Sequence, residues 1–233
     1  MMSRAQTRFG NYMLGTVPRV VGTVSQADTL AQLAVPANRD CDIVEIRLDH
    51  IGPDVPEWVE RAMAIEARGL PVIITIRIAE EGGQWKQADG ARITLFESAL
   101  RHLTAVDIEL RSSIVGEVSE LASRHQRALI VSYHDFERTP PVDELKKVVA
   151  TAATLGSVIK IVTFTRTDED VGVLRTLLHE KSSTPLCVMG MGPLGPQTRV
   201  KFPKLGSCLA YGYLDAPVAP GQVPARDLMQ QLH

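Results

Sequence analysis

Residues 128–136 read ALIVSYHDF, and residues 158–164 read VIKIVTF. Both are short, β-branched, apolar runs of strand length. Each carries one group able to move a proton or attack a carbonyl, His134 in the first and Lys160 in the second. Alternate residues of a strand share a face, so Ile130, Ser132 and His134 point one way, as do Val158, Lys160 and Val162. A charged lysine is costly to bury in an apolar strand. Its usual escape is loss of the proton, which leaves a nucleophilic amine. An edge strand whose lysine reaches water is the other reading of that run.

Composition bounds the rest. The chain has 233 residues, 45% of them apolar, enough for a substantial core in one large domain or two small ones. A formal net charge of -2 argues against nucleic acid or an acidic membrane surface as partner. No run approaches the roughly 18 apolar residues of a membrane helix. The opening MMSRAQTRFGNYMLGTVPR lacks the long apolar centre of a secretion signal. Cys41, Cys187 and Cys208 are widely spaced, outside any CxxC or Cys/His ligand pattern. Reduced thiols in a cytoplasmic protein are therefore expected.

Outward from the two runs, apolar strands alternate with helical stretches. Strands are expected at residues 20–25, 43–48, 72–76, 106–110, 128–133, 158–162, 186–191 and 208–211. Helices are expected over 26–33, from a cap at Asp54 to Arg68, and from the loop at 79–90 to about Leu103. Further helices are expected from about Ser113, from Thr139 and Pro140 to Gly156, from a Thr167/Asp170 capping pair to Glu180, and over 225–232. Eight strands, with a helical segment after nearly every one, fit a single (β/α)8 barrel of roughly 250 residues. It would span residues 1–233, with residues 1–18 as an N-terminal extension or cap. A doubly wound open sheet is the rival, but GTVSQAD after the first strand has no GxGxxG phosphate loop.

The two-residue period sharpens this. Glu45 and Arg47 share a face, as do Thr75 and Arg77, then Asp107, Glu109 and Arg111, then Ser132 and His134, with Lys160 on the next strand. The opposite parity is almost wholly apolar: Val44, Ile46, Ile74, Ile76, Val106, Ile108, Leu129 and Val131. Helices cover the outside of a βα barrel, so the apolar parity faces out and the ionisable parity faces the axis. The charged groups fall toward the C-terminal halves of their strands, where barrel enzymes build their sites. A salt-bridge network that only holds the barrel would give the same alternation.

At this point the chain resembles a known family, the type I 3-dehydroquinate dehydratases, or Schiff-base dehydroquinases, of the shikimate pathway. The likeness runs through DIVEIRLDH (42–50), TIRIAEEGG (75–83), SYHDF (132–136), VIKI (158–161), MGMGPLGPQTR (189–199), GSCLAYG (206–212) and APGQ (219–222). Two positions depart from the family pattern. Val218 stands where many relatives have serine, and Tyr211 where Phe is frequent.

The resemblance implies a lyase with Lys160 as the Schiff-base lysine, His134 as acid and base, and Glu81 as the group orienting that imidazole. It implies substrate binding by Glu45, Arg47, Arg77, Arg199 and Gln222, with Arg199 on the substrate carboxylate. Arg47 and Arg77, as neighbouring cations, would help keep Lys160 neutral. No metal and no organic cofactor are implied; the partner is 3-dehydroquinate, and the assembly a homodimer. Another Schiff-base barrel enzyme, such as a class I aldolase, would need the strand-six lysine but not the SYHDF and APGQ pair. A non-catalytic binding module should have lost Lys160, His134 or Glu81, and all three are present.

Overall fold

The computed structural model describes residues 5–33, 40–55 and 57–233. A hairpin comes first, β1 (Thr7–Phe9) antiparallel to β2 (Tyr12–Leu14). Gly10 at its turn has φ +57°, a conformation two-residue hairpin turns favour in glycine. The β-branched runs then form eight parallel strands: β3 (Arg19–Val24), β4 (Ile43–Arg47), β5 (Val72–Thr75), β6 (Ala105–Glu109), β7 (Ala128–Asp135), β8 (Val158–Phe164), β9 (Leu186–Met191) and β10 (Leu209–Tyr213). Between and after them run α1 (Ala27–Leu33), α2 (Leu48–Ile51), α3 (Trp58–Ala67), α4 (Asp89–His102), α5 (Val115–Arg124), α6 (Val142–Ala152), α7 (Asp168–His179), α8 (Gly195–Leu205) and α9 (Ala225–Leu232).

The sheet order β10-β3-β4-β5-β6-β7-β8-β9 is that of a (β/α)8 barrel. Its seam lies between β9 and β10. There the Cys208 amide donates to the Leu186 carbonyl at 2.8 Å, and the Val188 amide to Ser207 Oγ at 2.9 Å. The outward parity, including Ile46, Ile74, Ile108, Val131 and Ile161, is buried against helix residues such as Ala62, Phe96, Leu121, Leu145 and Leu174. The inward parity is stratified. Val21, Ile43, Ile73, Ala105, Ile130, Val158, Cys187 and Leu209 form an apolar layer at the N-terminal end of the strands. Phe9 and Leu14 of the hairpin are fully buried in the same cluster, so the hairpin forms the barrel's floor. Residues 1–4 of the expected extension lie outside the described residues.

Four local expectations need correction. Asp54 does not cap a helix: α3 begins at Trp58, after Glu57 in the left-handed region with φ 61°, and residue 56 of the expected helix lies outside the described residues. Thr139 does not open α6 either. Its hydroxyl is held on β8, 2.8 Å from Thr163 Oγ1 and 3.0 Å from the Phe164 carbonyl, and the helix starts after Pro141. The third correction is α8, which its glycines and prolines concealed. Pro196 sits in the first turn and Pro203 in the last, so the helix between them persists. The fourth is α7, which stops at His179, although the Thr167/Asp170 capping box opens it as the sequence suggests.

Phe9→Ala empties the largest side chain of the floor. A loss of about 3 kcal/mol is expected, read as a lower urea midpoint at unchanged slope. A midpoint equal to the parent's would show that the hairpin contributes nothing to the core.

Candidate active site

Lys160 sits mid-strand on β8 and faces the axis, 5% exposed. Its Nζ lies 2.8 Å from Asp107 Oδ2, 3.8 Å from Glu45 Oε1 and 4.3 Å from the centre of the Tyr211 ring. Asp107 on β6 accepts two further bonds at Oδ1, from Arg77 Nη2 at 2.6 Å and Ser132 Oγ at 2.7 Å. Burial alone would raise the Asp107 carboxyl, but Arg77 and Lys160 outweigh it and hold the group far below the usual carboxylate range. Glu45 accepts from Thr75 Oγ1 at 2.7 Å and Thr23 Oγ1 at 2.9 Å.

The register of β7 on β8 pairs Ser132 with Lys160, which sets His134 one pleat nearer the C-terminal mouth. Glu81 reaches it from a 3₁₀ turn (Ala79–Glu81) after β5. Gly82 closes that turn at φ +76°, where a Cβ would collide with the Phe136 ring. Glu81 Oε2 lies 2.9 Å from His134 Nδ1 and accepts the His134 amide at 3.1 Å. Oε1 accepts Arg111 Nε at 2.9 Å. Burial pushes the His134 imidazole well below 6.5, and Arg77 and Lys160 push it the same way, so the ring is neutral at pH 7. Burial raises the Glu81 carboxyl, while Arg77 and Arg111 oppose the rise.

The arginines differ in what they hold. Arg47 forks onto Asp49, with Nε and Nη2 at 2.9 and 2.7 Å. Arg77 is bound by Asp107, Ser132 and Glu109. Arg199 on α8 meets no carboxylate among the described residues. Its contacts are the carbonyls of Tyr211 at 2.9 Å and Gly221 at 3.2 Å, and Met189 Sδ at 3.1 Å. Burial draws this guanidinium down to about 10, still a cation at neutral pH. Gln222 is tied to its own loop by the Val218 amide at 2.8 Å and reaches Thr23 Oγ1 at 3.3 Å. Lys160, His134, Glu81, Glu45, Arg47, Arg77, Arg199 and Gln222 all line one narrow cleft of about 60 Å³. A larger hollow of about 980 Å³ opens at the opposite end of the barrel, between the hairpin and the α7–β9 loop. Among the described residues no cluster of buried ionisable groups faces it, whereas the smaller cleft gathers them.

Residues 19–233 match the family model described as type I 3-dehydroquinase. The chain belongs to the type I 3-dehydroquinase family. It is 36% identical over 217 residues to the 3-dehydroquinate dehydratase of Methanocella arvoryzae, covering 92% of this chain and 95% of that one. It is 35% identical over 219 residues to that of Methanothrix thermoacetophila, covering 91% and 89%. The crystal structure of the Geobacillus kaustophilus 3-dehydroquinate dehydratase superposes with a TM-score of 0.89 at 26% identity, covering 99% of this chain and 96% of that one.

In this dehydroquinase one electrostatic expectation fails. The charges touching Lys160 are the carboxylates of Asp107 and Glu45, not cations, because Arg77 and Arg47 are taken up by Asp107 and Asp49. The sequence placed Asp107 on the inward face yet gave no sign that it holds the lysine. Asp49 and Arg111 were likewise missed as partners of Arg47 and Glu81. Parity was the available signal for Asp107 and for Arg111, which it put on the face of Asp107 and Glu109, but it names no partner; Asp49 lies beyond its strand, where parity says nothing.

The depressed imidazole gives a direct check. The His134 ring is expected to keep its neutral-form ¹⁵N shifts at pH 6, where an exposed histidine is largely protonated. A His134 titration at or above about 6.5 would contradict the burial and cation effects described here.

Proposed function

We propose that Lys160 forms the Schiff base, His134 carries the protons, Glu81 orients His134, and Arg199 holds the substrate carboxylate. The chain is a hydro-lyase, a type I 3-dehydroquinate dehydratase: it removes water from 3-dehydroquinate to give 3-dehydroshikimate. The observation that carries the residue assignment is one cleft that joins a buried amine, a neutral histidine on a carboxylate, and a buried guanidinium with no carboxylate partner among the described residues. The last of these suits an anionic substrate, since a guanidinium fork matches two carboxylate oxygens.

The Lys160 amine attacks the C3 ketone, and loss of water leaves an iminium. That cation is an electron sink, so neutral His134 can take the C2 proton and leave an enamine. The enamine expels the C1 hydroxyl, which takes the proton from His134, and hydrolysis of the remaining imine frees product and lysine. Asp107 aims Nζ at the cleft. Glu45 and Gln222 face the ring hydroxyls. Arg47 keeps Nη1 clear of its fork on Asp49, and Arg77 braces the Asp107 carboxylate that holds the lysine. The cleft is far below the roughly 300 Å³ of a small-molecule pocket, so the segment bearing Val218, Ala219 and Gln222 must draw back for substrate to enter.

We read residues 1–233 as one barrel domain with the hairpin as its floor. A cytoplasmic location is supported by three cysteines that are all free and buried. Burial pushes the Cys41 and Cys187 thiols up to about 12, far from reactive thiolates. The homodimer is proposed on family resemblance, and sedimentation should give twice the chain mass at micromolar concentration; a monomer there refutes it.

Borohydride with 3-dehydroquinate should trap an adduct that maps to Lys160, and Lys160→Ala should give neither adduct nor turnover. His134→Ala should still form the imine slowly, with turnover down by about 10²–10⁴-fold or more. Glu81→Gln should lose less, because the proton carrier remains. An adduct on another lysine would overturn the assignment of Lys160, and near-normal turnover in His134→Ala would overturn that of His134.

A further inference from the structure

Arg111 lies in the turn after β6, with 53% of its side chain exposed. Its guanidinium nonetheless reaches both members of the Glu81–His134 pair. Nε donates to Glu81 Oε1 at 2.9 Å, and Nη2 donates to the His134 carbonyl at 2.6 Å. The other Glu81 oxygen meets the His134 ring and amide. Arg111, Glu81 and His134 thus form a closed ring of hydrogen bonds across three segments. The guanidinium is steadied on the Tyr133 ring, 4.8 Å from its centre.

We propose that Arg111 is a positioning residue for proton transfer, which from the barrel rim locks Glu81 against the His134 ring and supplies the countercharge to its carboxylate. The proposal rests on the reading of His134 as the proton carrier. Other charges face the pair. Arg77 approaches Glu81 from the end of β5 and Glu109 from β6. Arg77, Lys160, Asp107 and Arg47 face His134 from β5, β8, β6 and β4, and Asp135 faces Arg111. Arg77 cannot take over the contact, because its guanidinium is bonded to Asp107, Ser132 and Glu109. Among the described residues, Arg111 is the arginine that hydrogen-bonds Glu81.

The sign of the effect follows. Burial raises the Glu81 carboxyl and Arg111 lowers it, so removal of the guanidinium moves Glu81 further up. A protonated Glu81 is a weaker acceptor for the imidazole and, uncharged, no longer favours its cation. The acid limb of the kcat profile therefore rises in pH.

The test is a pH–rate series on the full chain with 3-dehydroquinate, comparing the parent with Arg111→Met, Arg111→Lys and His134→Ala. Arg111→Met is expected to shift the acid limb upward by about half a pH unit or more and to lower plateau kcat about three- to tenfold, with KM within about twofold. Arg111→Lys keeps the charge but not both bonds, so its acid limb should stay near the parent's while plateau kcat falls. The half-exposed site should tolerate both changes; if Met lowers the melting temperature, the Lys profile decides. A parent-like acid limb and kcat in Arg111→Met, with His134→Ala inactive, overturns the proposal. Turnover in His134→Ala would instead overturn the underlying reading of His134.

Discussion

Asp107 is fully buried, yet it receives hydrogen bonds from Arg77, Ser132 and Lys160. A carboxylate without partners could not stay ionised there, because desolvation would protonate it. With donors from β5, β7 and β8 it does stay ionised, and so it fixes three strands around β6. The bonding continues outward. Arg77 also meets Glu109, and Glu109 meets Arg92 of α4 at 2.6 Å. Arg92 in turn donates to the Ile76 carbonyl at 2.8 Å. A salt-bridge network that holds the barrel and a site that presents an amine are thus one object. Removing one member leaves the others buried without a countercharge, a far larger cost than losing an exposed pair.

The floor of the barrel is what makes such a charged layer tolerable. Below Lys160 the interior is closed by the apolar inward layer and by Phe9 and Leu14, so the ionisable groups collect only at the C-terminal end. There the arginines and Glu81 meet groups of opposite sign. Arg47 has Asp49, Arg77 has Asp107 and Glu109, and Glu81 has Arg111. Arg199 breaks the pattern, held only by carbonyls and a thioether. A buried cation left this way suits an anionic ligand, the role proposed for Arg199, and burial draws its proton affinity down.

Much of this architecture was legible because it rests on local periodicity. The two-residue alternation gave the inward and outward faces of β4 through β8, and the strand–helix rhythm gave the barrel. Tight local chemistry was legible too, as in the Thr167/Asp170 box. Contacts set by register between distant strands were not. Lys160 and Asp107 meet across 53 positions, and parity shows that both face the axis but not that they touch. The β1–β2 hairpin was missed because three-residue strands carry no periodic signal, and their stability comes from Phe9 and Leu14 docking into a layer built from the whole sheet. In α8, local propensity pointed away from a helix that packing retains.

His134 shows how these parts combine. Burial, Arg77 and Lys160 all act against a proton on its ring, which makes it a ready base but a poor keeper of the proton it takes. On the proposed mechanism it must keep that proton until the C1 hydroxyl departs, while the iminium or enamine nitrogen remains beside it. Asp107 acts in favour of the protonated ring through space, but its oxygens are already bonded to Arg77, Ser132 and Lys160. Glu81 is the carboxylate in direct contact with the imidazole, and burial works against its charge as well. The cations that steady Glu81 therefore have to be near enough to hold it ionised yet directed away from His134. Arg111 meets that geometric condition, since it bonds the far oxygen of Glu81 and touches His134 only at its carbonyl. The proton balance of the site is thus set from two ends, by Asp107 beneath the amine and by Arg111 at the rim.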